Sequence, residues 1–154
     1  MRIRVIWEGK TKDANLRALA AEYKKRISHF CTIAIDEIQP LRHGAYGSAT
    51  TLSSDERRLL EKLDGSVKVF LDDRGREWSS EEFAGWLGGE ALRGTRELAF
   101  LVGGPDGFSV PFRDKADRLL SLSRMTLTHD WSRALLLEQI YRGFTILRGF
   151  PYAH

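Results

Sequence analysis

A chain of 154 residues with 42% hydrophobic and 29% charged side chains has the composition of one ordinary globular domain, long enough to bury a real core. Its 24 Lys+Arg against 21 Asp+Glu leave a formal net charge of +3, which permits a nucleic-acid partner through a local patch but does not demand one. The lone Cys31 excludes an internal disulfide and fits a reducing cytoplasm, and no run approaches the roughly 18 apolar residues of a membrane span.

Met1-Arg2-Ile3-Arg4 leads straight into alternating basic and apolar residues, so residues 2–7 are expected to form a first strand, with no secretory leader before it. Asp13 suits the N-cap of an amphipathic helix whose apolar side carries Leu16, Leu19, Ala20, Tyr23 and Ile27. Residues 30–35, rich in β-branched and aromatic side chains, predict a second strand. The loop over residues 39–51 is longer than most connections in compact domains, and its Arg42, His43 and Tyr46 are suited to gripping RNA. Ser54 is expected to cap a helix built on Leu59, Leu60 and Leu63.

The near-continuous apolar run 67–71 predicts a strand of a sheet covered on both faces, ending in a polar turn that holds Asp72 and Asp73. Ser79 and Glu82 form a capping-box pattern before a helix with Phe83, Trp86 and Leu87 on one side. Residues 97–102 predict a fourth strand, residues 111–120 a short helix opened by Pro111, and residues 122–127 a fifth strand. Asp130 is expected to cap the last helix, which runs through Leu147. Five alternations of strand and helix predict an α/β fold over residues 1–154, one domain with a mostly parallel sheet and helices on both faces.

The familiar catalytic signatures are absent. Gly103-Gly104-Pro105-Asp106-Gly107 is not GxGxxG, and Pro105 interrupts the row of amides that cradles a pyrophosphate. Neither a P-loop nor a GxSxG elbow occurs, and four scattered histidines with one cysteine give no basis for a metal site. Two features remain: the glycine turn after the fourth strand pattern, and a hydroxyl-rich segment with backbone groups suited to the polar edge of a purine. Ligands of parallel α/β sheets bind at such strand ends.

Those features carry a specific resemblance. Leu101-Val102-Gly103-Gly104-Pro105-Asp106-Gly107, Met125-Thr126-Leu127-Thr128-His129, Arg133-Ala134-Leu135-Leu136-Leu137-Glu138-Gln139-Ile140-Tyr141-Arg142 and Pro151-Tyr152 resemble the ribosomal RNA large subunit methyltransferase H family of the SPOUT superfamily. The resemblance spans essentially the whole chain, with its specific motifs in the last third. It implies an α/β fold with a C-terminal trefoil knot, and a cytoplasmic homodimer. Such a dimer uses S-adenosyl-L-methionine to methylate N3 of a pseudouridine in the helix 69 loop of 23S rRNA on the assembled ribosome.

Carried over by position, the implied cofactor pocket falls on Leu71, Gly103 and Gly104, and on Ser123, Arg124, Met125, Thr126, Leu127 and Thr128. The implied acceptor side comprises His129, Arg142, Tyr152 and His154, with His129 open to a structural or partner-contact role instead. Arg142 lies one helical turn beyond Glu138, within ion-pair reach. A sulfonium donor is already activated, so no metal is expected. The family tail reads Pro-Tyr-His and then a basic residue; here it reads Pro151-Tyr152-Ala153-His154, with the histidine displaced by one position and the trailing cation missing. That altered tail favours a rival, a non-catalytic RNA- or ribosome-binding factor on the same fold; a SPOUT enzyme acting on tRNA is the third alternative.

Overall fold

The computed structural model of the chain describes residues 1–42 and 50–152. In order they form β1 (Arg2–Glu8), α1 (Ala14–Ile27), β2 (Ile33–Ile38), α2 (Ser54–Lys62) and β3 (Val67–Glu77). There follow α3 (Ser80–Leu92), β4 (Glu97–Val102), α4 (Val110–Arg113), β5 (Arg118–Ser121) and α5 (His129–Arg148). The five strands make one sheet in the order β2-β1-β4-β3-β5, and every neighbouring pair is parallel.

The two-residue period of the strands sorts the core into two layers. Ile3, Val5, Trp7, Val69, Leu98, Phe100 and Val102 face α1, α3 and α5, where they meet Ala20, Phe83, Leu87, Leu136 and Ile140. Ile6, Phe70, Ala99 and Leu101 point the other way, onto Leu59 of α2, Leu63 just past its end and Phe112 of α4. The central strand β4 is buried along its whole length, which is why it reads as an unbroken apolar run. Helices therefore cover both faces, as the alternation of elements implied.

Local chemistry moves several boundaries. Phe30, expected in the second strand, stays outside it and stacks on Phe144 of α5 at 5.5 Å, so β2 begins at Ile33. Ser53 rather than Ser54 caps α2, in a reciprocal capping box with Glu56. The helix expected over residues 111–120 lasts one turn: Asp117 accepts the Lys68 N–H at 2.7 Å and hands the chain to β5 at Arg118. Residues 122–127, expected as the fifth strand, lie beyond the sheet. There Ser121 Oγ donates to the Ser123 carbonyl at 3.0 Å, and Ser123 Oγ accepts from Met125 N at 2.9 Å, hydroxyl bonds that compete with a strand ladder.

Thr128, not Asp130, caps α5, with its hydroxyl accepting from Trp131 N at 3.3 Å. The apolar run 67–71 continues past a register shift to Glu77, and Gly75 lies directly on the Leu119–Leu120 backbone of β5. His43 and Tyr46 lie outside the described residues.

Candidate functional site

The carboxyl ends of β4 and β5, with the middle of β3 where its pairing to β4 ends at Leu71, open into one cleft of about 450 Å³, within the range typical of small-molecule sites. All nine positions expected in a cofactor pocket line it: Leu71 at the end of the apolar part of β3, Gly103 and Gly104 after β4, and Ser123 through Thr128 after β5. Leu120 and Val102 add apolar surface, while the backbone of residues 121–128 supplies polar groups. Phe108 and Ser132 also line the cleft and were not singled out from the sequence; Asp72 and Asp73, read there as a polar strand-end turn, line it too. A strand-end position was the available signal for the two carboxylates. Asp72 accepts from Arg74 N at 2.9 Å and faces Arg113 at 3.6 Å, so it is engaged in shaping the strand end.

Close approach explains the second glycine of the turn. Any Cβ at Gly104 would collide with the carboxylate of Glu8 at the end of β1, and Glu8 Oε1 in turn accepts from Leu41 N at 3.0 Å. The first turn of α5 closes the opposite wall with His129 and Ser132. Two residues of that turn secure it. Asp130 Oδ2 accepts from the backbone N–H groups of Lys12 and Asp13, each at 3.0 Å. Arg133, 1% exposed, donates to Glu8 O at 2.6 Å, Gly9 O at 3.3 Å and Thr11 Oγ1 at 3.1 Å, with its guanidinium 5.0 Å from the Trp7 ring centre.

The expected acceptor-side residues do not all gather here. His129 stands on the cleft wall, but Arg142 lies thirteen residues along the same helix, about 20 Å away at the α-helical rise. Arg142 Nη2 and Nε donate to Glu138 Oε1 at 2.7 and 3.0 Å, the ion pair that the spacing implied. Its guanidinium lies 4.7 Å from the ring centre of Tyr152, whose hydroxyl is 2.8 Å from that of Tyr23 on α1. Tyr141 packs edge-on against the same ring at 4.8 Å. Burial first, then the bond to Tyr23, pushes the Tyr152 phenol well above its ordinary value, and Glu138 adds to the rise. The hydrogen-bonded Glu138 carboxylate likewise raises Arg142. Tyr23 was read from the sequence only as part of an apolar helix face. His154 lies outside the described residues.

Among the described residues no group of three or more His, Cys, Asp or Glu is placed to hold a metal, and no helix is long and apolar enough to cross a membrane.

Comparison with known proteins matches residues 1–154 to the family described as "Predicted SPOUT methyltransferase". A relative in Geobacter sp. (strain M21), named Ribosomal RNA large subunit methyltransferase H, is 42% identical over 156 residues, covering 100% of this chain and 99% of its own. A protein of the same name in Trichlorobacter lovleyi is 41% identical over 155 residues, with 100% of both chains covered. Among solved structures, a putative methylase family protein from Neisseria gonorrhoeae superposes with a TM-score of 0.56 at 16% identity, covering 99% of this chain and 85% of that one. A probable methyltransferase from Bordetella pertussis gives 0.55 at 12%, covering 92% and 95%. Those two agree in fold; with full-length identity above 40% to the named relatives, the chain belongs to the SPOUT methyltransferases, in the ribosomal RNA large subunit methyltransferase H family.

Proposed function

We propose that the protein transfers a methyl group from S-adenosyl-L-methionine to N3 of a pseudouridine in the helix 69 loop of 23S rRNA, acting in the cytoplasm on the assembled ribosome. The observation that carries this reading is the convergence of Leu71, Gly103, Gly104 and residues 123–128 on one cleft, where β3 parts from β4 and where β4 and β5 end. The cleft suits the donor: Leu71, Val102 and Leu120 offer an apolar slot for adenine, and the backbone of residues 121–128 offers partners for its polar edge. The bound donor supplies a methyl group already activated on a sulfonium.

What remains for the chain is to bring the acceptor nitrogen into line and to favour loss of its proton. A guanidinium beside a uracil-type ring stabilises the N3 anion, and Arg142, fixed by Glu138, is the cation suited to this. Tyr152, bonded to the Tyr23 hydroxyl at 2.8 Å and lying 4.7 Å from the Arg142 guanidinium, serves to position that cation. His129 faces the cleft directly.

The separation of about 20 Å between His129 and Arg142 supports a homodimer, in which the Arg142–Tyr152 cluster of one copy serves the cleft of the other. The trefoil knot implied by the family resemblance belongs to the same reading.

Mass spectrometry of large-subunit rRNA from cells with and without the gene tests the reading. The expected result is loss of one methyl group from one pseudouridine, restored by the purified protein with S-adenosyl-L-methionine and ribosomes. An unchanged spectrum, with no heat of donor binding in calorimetry, would leave only an RNA-binding role. Methylation of isolated tRNA but not of ribosomes would move the substrate.

A further inference from the structure

The connection between β1 and α1, residues 9–13, is tied at both ends to elements that wall the cleft. At its start, Glu8 lies against Gly104; at its end, the backbone of Lys12 and Asp13 is held by Asp130, the residue next to His129. Arg133 adds bonds to Glu8 O, Gly9 O and Thr11 Oγ1. A buried guanidinium and a buried carboxylate are thus committed to fixing a five-residue surface turn, Gly9-Lys10-Thr11-Lys12-Asp13.

Within that turn Thr11 is buried and Asp13 caps α1 through bonds to Asn15 N and Leu16 N. The side chains of Lys10 and Lys12 are left exposed, and among the described residues neither has a carboxylate partner. Arg4 is paired with Asp36 and Glu97, Arg26 with Glu22, Arg58 with Asp55 and Lys68 with Asp117, while Lys24, Lys25, Lys115 and Arg148 are exposed without a carboxylate partner among the described residues. What distinguishes Lys10 and Lys12 is the backbone that Asp130 and Arg133 clamp beneath them. Arg124, on the cleft loop, is likewise exposed and unpaired among the described residues. Unpaired cations on a rigid backbone at the mouth of a site are placed for an anionic partner.

From this arrangement we infer that Lys10 and Lys12, together with Arg124 on the cleft loop, form a phosphate-binding rim that seats the RNA backbone flanking the nucleotide that enters the cleft. The inference rests on the ribosomal RNA reading above and adds the surface by which the substrate is held. Phosphate contacts of this kind position a nucleic acid and carry no base specificity.

The test uses the full chain and a fluorescent hairpin of large-subunit rRNA sequence, titrated over a range of salt concentrations. In the double variant Lys10→Ala/Lys12→Ala the slope of log K against log[salt] should fall by about 1 for each lysine removed. KM for ribosomes should rise, while calorimetric affinity for S-adenosyl-L-methionine is retained. The variant Lys10→Arg/Lys12→Arg should keep the slope of the parent. A double alanine variant with the parent's slope and KM overturns the rim while leaving the methyltransferase reading intact. Loss of donor affinity in the alanine variant also overturns it, because the turn would then act by shaping the cleft. Absence of both methylation and hairpin binding in the parent protein removes the reading and the rim together.

Discussion

The carboxylate of Glu8 occupies the space that a side chain at position 104 would need, so β1 and the turn after β4 are fitted to each other atom against atom. Gly104→Ala therefore pushes the Glu8 carboxylate aside and off Leu41 N, and because the tip of a flexible side chain can swing away the cost is about 1 kcal/mol, or roughly fivefold in affinity if it falls on the cleft. The same change made in a Glu8→Ala chain should cost little, since the colliding group is gone. Calorimetric titration of the four chains with S-adenosyl-L-methionine completes a double-mutant cycle. An equal loss in both backgrounds would show that the methyl group itself blocks the cleft and that Glu8 is irrelevant to the choice of glycine.

At the scale of elements, the edge of the sheet is set by Gly75, whose Cβ would stand 2.6 Å from Leu119 C and Leu120 N. Backbone cannot yield as a side-chain tip can, so Gly75→Ala should separate β3 from β5 and cost about 3 kcal/mol. The loss is readable as a lower midpoint in urea. A midpoint within error of the parent would mean that the extended part of β3 lies away from β5 in solution.

The same edge marks where reading the sequence fails. β1, β3 and β4 announce themselves through apolar runs and alternation, and the helix starts at Asp13 and Ser79 through their capping side chains, because these signals are local. The placement of β5 is not local. Residues 118–121 become a strand because β3 passes beside them, whereas residues 122–127, as apolar as many strands, are drawn into a cleft loop by Ser121 and Ser123. That nine named positions line one cleft was legible because a family motif and a strand-end rule fall on the same residues. The clasp of Asp130 and Arg133 on residues 8–13 was not, since partners more than a hundred positions apart leave no periodic trace.

For the whole molecule, the decisive dimension is the length of α5. Its 20 residues carry His129 at one end and Arg142 far along the shaft, and a helix packed against α1 and α3 cannot fold back on itself. If both residues serve one methyl transfer, they come from two chains. His129→Ala and Arg142→Ala should then each abolish turnover alone, yet complement each other. After subunit exchange, half of the dimers are mixed, and each mixed dimer holds one cleft with an intact His129 facing an intact Arg142, for about a quarter of the parent's activity per chain. Two residues acting in the same chain give no recovery, because every chain in the mixture carries one lesion. Methyl transfer to ribosomes, followed before and after exchange at fixed total protein, separates the two arrangements.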